Sequence, residues 1–342
     1  MTNERRSAPI RIWALLGARA GDNDQVLALA KALGTPFEIK ELKFNGLRRL
    51  GPRILGRSLL SLTGRSRKEI LAERPPDLTI SAGHRSVAVV QGLRRRSGGR
   101  TRSIHIGFPR ISPGHFDLVI TTPQYPIAPH PHLLRVPFAL TRTATSPTAK
   151  GDEAALAALP APRRLLLVGG PTLFWTIDRT ALLKTVEQML DDASRHGGSV
   201  IVTTSPRTPA EVREVLASAL ANASVPTLLG QPGKAPRYAS LLQAADTLRV
   251  TADSVAMVSD AIWTGKPVAV VPIGKSPLGR IVTALNDRLR PDRPLYPRDL
   301  RRFWNALCAI GVTEHPARPR TSADQHFQAI LDRVRPILDS IP

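Results

Sequence analysis

The stretch Val250–Ile273 reads V-T-A-D-S-V-A-M-V-S-D-A-I-W-T-G-K-P-V-A-V-V-P-I, and it leaves little freedom of fold. Val255, Met257, Val258 and Ile262 recur at helical spacing. Asp253 and Ser254 precede them and offer oxygens to the free amides of a helix start. Gly265 and Pro267 stop the helix, and Lys266 puts a cation near its negative end. Val268–Val271 is then an apolar run of strand length. Thr251, Asp253 and Ser254 crowd the helix start, where free amides and the dipole favour an anion such as a phosphate. Ser259 and Asp260 follow among small or apolar neighbours, and a carboxylate there can accept hydrogen bonds from the two hydroxyls of a ribose. The alternative is a capped core helix with one solvated Asp.

The same strand–turn–helix grammar repeats along the chain and predicts an α/β protein with mostly parallel sheets. Ile10–Leu16 is a strand pattern that runs into G-A-R-A-G-D-N-D-Q and a helical V-L-A-L-A-K-A-L-G. Gly21 there permits close approach of a ligand or positive φ, and Asp22 is a candidate acid or base. In the plainer reading Asp22 or Asp24 only caps the helix. The turn lacks G-x-G-x-x-G, so no dinucleotide fingerprint is present. Phe37–Phe44 and Leu78–Ser81 are further strands. The second ends in A-G-H-R-S, where His84 can serve as general base and Arg85 can bind an anion. Ser103–Phe108 and Phe116–Thr121 follow.

Thr141–Pro162 is rich in Thr, Ala and Pro and reads as a linker. Beyond it, Arg164–Val168 ends in G-G-P-T, which offers the Gly170 amide and the Thr172 hydroxyl to a phosphate. Asp178 caps a helix over Thr180–Arg195. Ser199–Thr203 ends in T-S-P-R-T-P, where Ser205, Arg207 and Thr208 suit a diphosphate clamp. Pro226–Leu229 and Thr247–Val250 are strands, Pro236–Ala244 is a helix, and Gly274–Arg280 reads as a basic loop. Helical patterns return near Phe303–Ile310 and Phe327–Leu338.

A chain of 342 residues suits two domains. We place them at 1–140 and 163–320, joined by a 141–162 linker, with a helix at 321–342 crossing back to the first. The formal charge of +21 favours phosphate-bearing ligands, anionic lipid or nucleic acid. Scattered arginines, 4% aromatic residues and the lack of a known binding module weigh against nucleic acid. Leu47, Leu50, Ile54, Leu59 and Leu60 alternate with Arg48, Arg49, Arg53 and Arg57, a pattern suited to a membrane surface or to a solvated basic face. No apolar run reaches membrane-spanning length, and the polar start resembles no signal sequence, so a cytoplasmic protein is expected, at most peripheral on the inner membrane. The single Cys308 excludes an internal disulfide, and no metal-ligand spacing is visible.

The spacing S-D-A-x-x-x-G-K-P-V resembles the donor motif of two-domain GT-B glycosyltransferases. In that motif the acidic residue, here Asp260, holds the ribose of a nucleotide sugar. The chain departs from it at Ser254, where Gly is usual. G-D-N-D-Q at 21–25, I-S-A-G-H-R-S, G-F-P-R-I, F-D-L-V-I, V-G-G-P-T, T-T-S-P-R-T-P and V-T-A-D-S-V-A-M-V-S-D-A together resemble the family of the plant mitochondrial fission protein (elongated mitochondria) and its bacterial relatives. The resemblance implies two doubly wound Rossmann-like domains facing a cleft. It implies a glycosyltransferase that moves a sugar from a nucleotide diphosphate sugar to a cell-envelope or lipid-linked acceptor. Asp22 and His84 are our candidate catalytic residues. Gly21, Gln25, Arg85, Gly170, Thr172, Ser205, Arg207, Thr208, Thr251, Asp253, Ser254, Ser259 and Asp260 are candidate substrate contacts. No metal or cofactor is expected. A nucleotide-sugar 2-epimerase and a non-catalytic membrane adaptor are the alternatives.

Overall fold

The computed structural model describes residues 9–141, 143, 150–289 and 298–341. The chain forms two compact units, one of residues up to Leu140 plus those from Asp324, the other Thr141–Ala323.

In unit 1 the elements run β1 (Ile12–Leu16), α1 (Ala20–Ala32), β2 (Phe37–Glu41), α2 (Pro52–Leu55), α3 (Gly64–Ala72), β3 (Leu78–Ala82), α4 (Val87–Arg96), β4 (Arg102–Ile106), β5 (Leu118–Thr121) and β6 (Leu133–Arg135). The sheet order is β2-β1-β3-β4-β5-β6, parallel throughout. Strands and helices meet on a core that includes Trp13, Leu15, Val87, Val90, Leu93 and Phe116. The C-terminal residues add to this unit: His326 packs 4.1 Å from the Phe138 ring, and Arg333 Nη2 donates to Pro131 O at 3.0 Å.

Unit 2 runs α5 (Asp152–Ala157), β7 (Arg163–Val168), β8 (Trp175–Ile177), α6 (Arg179–His196), β9 (Ser199–Thr204), α7 (Ala210–Ala221), β10 (Thr227–Gly230), α8 (Tyr238–Ala244), β11 (Thr247–Thr251), α9 (Val255–Trp263), β12 (Val268–Val271), β13 (Ile273–Lys275), α10 (Pro277–Leu289) and α11 (Leu300–Ala309). A last helix, α12, spans Ala323–Asp339. The main sheet is parallel in the order β10-β9-β7-β11-β12, and β8 pairs antiparallel with β13. Its core includes Leu166, Val168, Leu182, Val186, Val200, Val202 and Leu216. Among the described residues no helix is long and apolar enough to cross a membrane.

Three local readings need correction. Gly274–Arg280 is not a loop: Ile273–Lys275 forms β13, and α10 starts at Pro277. The stretch read as a linker carries α5, whose buried Asp152 accepts from Arg237 N at 2.8 Å and Ser240 Oγ at 2.7 Å. Positions 142 and 144–149 of that stretch lie outside the described residues. Neither Asp22 nor Asp24 caps α1; the cap residue is Arg19. Asn23 closes the turn instead, accepting from Gly17 N at 2.8 Å and donating to Gly17 O at 2.9 Å.

Candidate functional site

Open α/β sheets bind ligands beyond the carboxyl ends of their strands, where the chain switches direction across the sheet. In unit 2 the chain winds from β7 out to β10, then returns to place β11 on the other side of β7. The turns after β7 and β11 therefore meet. Gly169 N donates to Thr251 Oγ1 at 2.8 Å, and Gly170 N donates to Asp253 Oδ2 at 2.9 Å. Thr251 Oγ1 donates in turn to Asp253 Oδ1 at 2.7 Å. A Cβ on Gly169 would overlap the Asp253 carboxylate, and one on Gly170 would overlap the Arg207 carbonyl. Glycine is needed at both positions for close approach.

The side chains or amides of several candidates are engaged in bonds of this framework. Asp253 is 1% exposed and does not cap α9; Ser254 does, accepting from Met257 N at 3.4 Å. Burial raises the Asp253 carboxyl above its ordinary range, against the pull of Thr251, Gly170 and Arg207. Thr208 Oγ1 accepts from Ser205 N at 3.0 Å and lies 2.5 Å from Gly169 O as a donor. Thr172 Oγ1 accepts from Trp175 N at 3.2 Å. Ser259 Oγ donates to Val255 O at 2.7 Å, within its own helix. Gly170, Thr172, Thr208, Thr251, Asp253 and Ser259 thus do not line the unit 2 pocket described next.

That pocket opens beside this framework, beyond β9, β10 and β11, and encloses about 520 Å³. It gathers Ser205, Arg207, Ser254 and Asp260 of the sequence candidates. Arg207, half exposed, reaches Asp253 Oδ2 at 3.5 Å and donates from Nη1 to Gly170 O at 3.4 Å. Its guanidinium is thereby aimed without being consumed. Lys234, Arg237, Tyr238 and Met257 also line the pocket, and the sequence reading did not assign them. The signal for the two cations was Q-P-G-K-A-P-R, a Gly- and Pro-rich turn after a strand. Thr204 Oγ1 is buried on the same wall with no hydrogen-bond partner among the described residues.

Asp260 is 7% exposed and held at both oxygens. Thr141 Oγ1 donates to Oδ1 at 2.5 Å, and the Tyr238 hydroxyl donates to Oδ2 at 3.0 Å. Burial, then Asp260 itself, pushes the Tyr238 phenol well above its usual range, so it stays a neutral donor.

Unit 1 has its own switch point, between β1 and β3. The turns after those strands form a small pocket that includes Arg19, Asp22, Gly83, His84, Arg85 and Ser86. Gly83 has φ of 72°, and a Cβ there would lie 2.8 Å from Asp22 Oδ2. Burial raises the Asp22 carboxyl, opposed by Arg19 and Arg85. Burial lowers His84 to about 4, helped by Arg110, Arg19 and Arg85. His84 is therefore neutral at pH 7. Two candidates fall outside this pocket. Gly21 is a helical residue of ordinary φ with open space around it, and Gln25 Nε2 donates to Gly21 O at 3.2 Å.

Residues 20–292 match the family described as mitochondrial fission ELM1. The chain belongs to that family. Mitochondrial fission protein ELM1 of Arabidopsis thaliana is 30% identical over 226 residues, covering 57% of this chain and 51% of that protein. The chain thus spans about half the length of the curated relative it matches. Among solved structures, UDP-GlcNAc 2-epimerase from Methanocaldococcus jannaschii superposes with a TM-score of 0.53 at 12% identity, over 95% of this chain and 99% of that one. The S. aureus MnaA–UDP co-structure gives 0.53 at 12% identity, over 96% and 97%. Likeness at that identity is likeness of fold, and it agrees with the GT-B-like class expected from the sequence.

Proposed function

We propose that unit 2 binds a nucleoside diphosphate sugar and that the chain transfers its sugar to an acceptor hydroxyl. One observation carries this reading. Arg207, Lys234 and Arg237 converge with the Ser205 and Ser254 hydroxyls on one pocket, and Asp260, the one carboxylate among its described lining residues, is held by donors that include Thr141 and Tyr238. Such a lining favours a polyanion, and the volume is in the range of small-molecule sites. Arg207, Lys234 and Ser205 take the diphosphate. Asp260, on the wall of the same pocket, is proposed to meet the ribose hydroxyls.

In transfer, the acceptor oxygen forms a bond to the anomeric carbon as the bond from that carbon to the diphosphate breaks. The leaving diphosphate keeps the electron pair, and Arg207 and Lys234 stabilise its charge. The acceptor proton goes to a base. Asp22 and His84 are the candidates for that role, proposed on their own surroundings within unit 1. Burial raises the Asp22 carboxyl toward the range of a useful base, and burial lowers His84 to about 4, where it is neutral and free to accept. Neither a metal nor a cofactor is part of the proposal.

The test is product analysis with nucleotide sugars labelled in the sugar, with no acceptor added. Slow release of free sugar and nucleoside diphosphate, lost in Arg207→Ala, supports a transferase. A sugar inverted at C2 and still attached to its nucleotide makes the chain an epimerase instead. Unchanged donors across all nucleotides contradict donor use of the pocket.

A further inference from the structure

Residues 45–62 form a loop whose base is locked. Asn45 N donates to Ser61 O at 2.9 Å, and Asn45 Nδ2 donates to Leu60 O and Leu62 O at 2.8 Å each. Phe44 and Leu62 pair as an antiparallel bridge above the buried Leu62 side chain. Asn45 Oδ1 accepts from Leu47 N at 2.9 Å and starts a single 3-10 turn. Gly51 then caps the short α2, which Pro52 begins. The expected amphipathic stretch is therefore a compact loop of fixed shape.

Four of its apolar side chains turn outward, while Leu59 packs against the core and Leu62 lies within it. Leu47 is 43% exposed, Ile54 74% and Leu60 53%, with Leu50 beside them. Arg48, Arg49, Arg53 and Arg57 are exposed among them and make no ion pair among the described residues. No acidic residue occurs between Leu42 and Lys68. Arg57 also lines a cleft of about 440 Å³ with Arg94, Arg95 and His115, large enough for a phosphate headgroup. Arg94 is partly occupied there by Asp117 at 3.3 Å.

Aliphatic side chains on a rigid loop, interleaved with unpaired cations, fit one kind of partner. They can enter the headgroup boundary while the guanidinium groups meet anionic phosphates. A nucleic acid would use the cations but leave four aliphatic side chains without a role, and no aromatic ring stands in the loop for base stacking. We propose that the loop closed by Asn45, with the neighbouring Arg57–Arg95 cleft, docks unit 1 onto a bilayer containing anionic phospholipid.

Flotation of the full chain with vesicles tests this. One set is phosphatidylcholine alone, the other carries about a third phosphatidylglycerol, chosen to give a strongly anionic surface. The wild type should bind only the anionic set, with affinity falling as salt rises. Arg48, Arg49, Arg53 and Arg57 changed together to Gln should reduce binding by roughly 100-fold or more. Leu47→Ser, Leu50→Ser and Ile54→Ser together should reduce it by roughly 10-fold or more at unchanged charge. If the apolar variant binds like the wild type, adsorption follows net charge and the proposal fails. It fails equally if the wild type ignores both vesicle sets and binds a single-stranded oligonucleotide instead. A second readout does not depend on these variants: in a Cys308→Ser background, a polarity-sensitive fluorophore on Ile54→Cys should shift to the blue on anionic vesicles. An unshifted probe on vesicle-bound protein overturns the assigned surface.

Discussion

The Tyr238 hydroxyl donates to Asp260 Oδ2 at 3.0 Å, so a residue from the start of α8 orients the carboxylate on α9. Asp260 is thus a positioned acceptor, not a freely rotating surface acid. Tyr238→Phe removes one donor from a nearly buried carboxylate and should cost about 1–3 kcal/mol of stability in urea unfolding. It should also weaken nucleotide binding several-fold, because the carboxylate loses its fixed orientation. Unchanged stability and affinity would show that the Tyr238 bond does not position Asp260.

Gly169 and Gly21 should respond oppositely to the same substitution. At Gly169 an added methyl meets the Asp253 carboxylate, whose bonds to Thr251 and Gly170 prevent easy withdrawal. Gly169→Ala should destabilise by about 1–3 kcal/mol. At Gly21 the methyl meets open space inside a helix, so Gly21→Ala should stabilise by up to about 1 kcal/mol. Melting of both variants under one condition checks the contrast.

Glu38 should give the chain a specific acid sensitivity. Arg11 Nε lies 2.6 Å from it and Lys40 Nζ 2.8 Å, and the hydrogen bond from Arg11, then that from Lys40, lowers its carboxyl from 4.5 to about 2. The folded-state value is depressed, so its stabilisation is complete above 4.5 and is lost as pH falls from there through about 2. The stability gap between wild type and Glu38→Gln should be constant above pH 5 and close below it. Its size is modest, because the side chain is 41% exposed. A gap that persists unchanged to pH 2 would contradict the ion-pair origin.

His84 should titrate far below an ordinary histidine. Its ring is partly buried near three guanidinium groups, which sets its value at about 4. Proton NMR of its ring should show a midpoint near 4, moving up in Arg110→Ala. A midpoint near 6.5 would place the ring in solvent and remove it from the unit 1 pocket.

The parallel sheets were legible because each strand is a short apolar run ending in a turn. Val268–Val271 matches its strand at both ends, and Asp178 caps α6 as read, accepting from Ala181 N at 3.1 Å. The site was legible only in part. Sequence places Thr208, Thr251 and Asp253 at strand ends, where ligands bind, but their side chains bond to the turn after β7, 39 and 82 positions away, or to one another. Such pairings depend on the sheet order, which a linear pattern does not carry. Lys234 and Arg237 were passed over for the converse reason. They lie in a Gly- and Pro-rich turn whose sequence marks it as a turn but not what it faces, and only the fold brings it beside Arg207. The strands β6, β8 and β13, of three residues each, are too short for an alternation to show.

The most direct test of the donor pocket is calorimetric titration with uridine, guanosine, thymidine and adenosine diphosphates and their sugars, using wild type and Arg207→Ala. Arg207 is half exposed, so the variant should fold normally. One nucleotide should bind the wild type, and Arg207→Ala should weaken it by roughly 10- to 100-fold, as expected for a lost charge-assisted contact. No binding by folded wild type across the panel, or equal affinity in the variant, would contradict a nucleoside diphosphate site in unit 2.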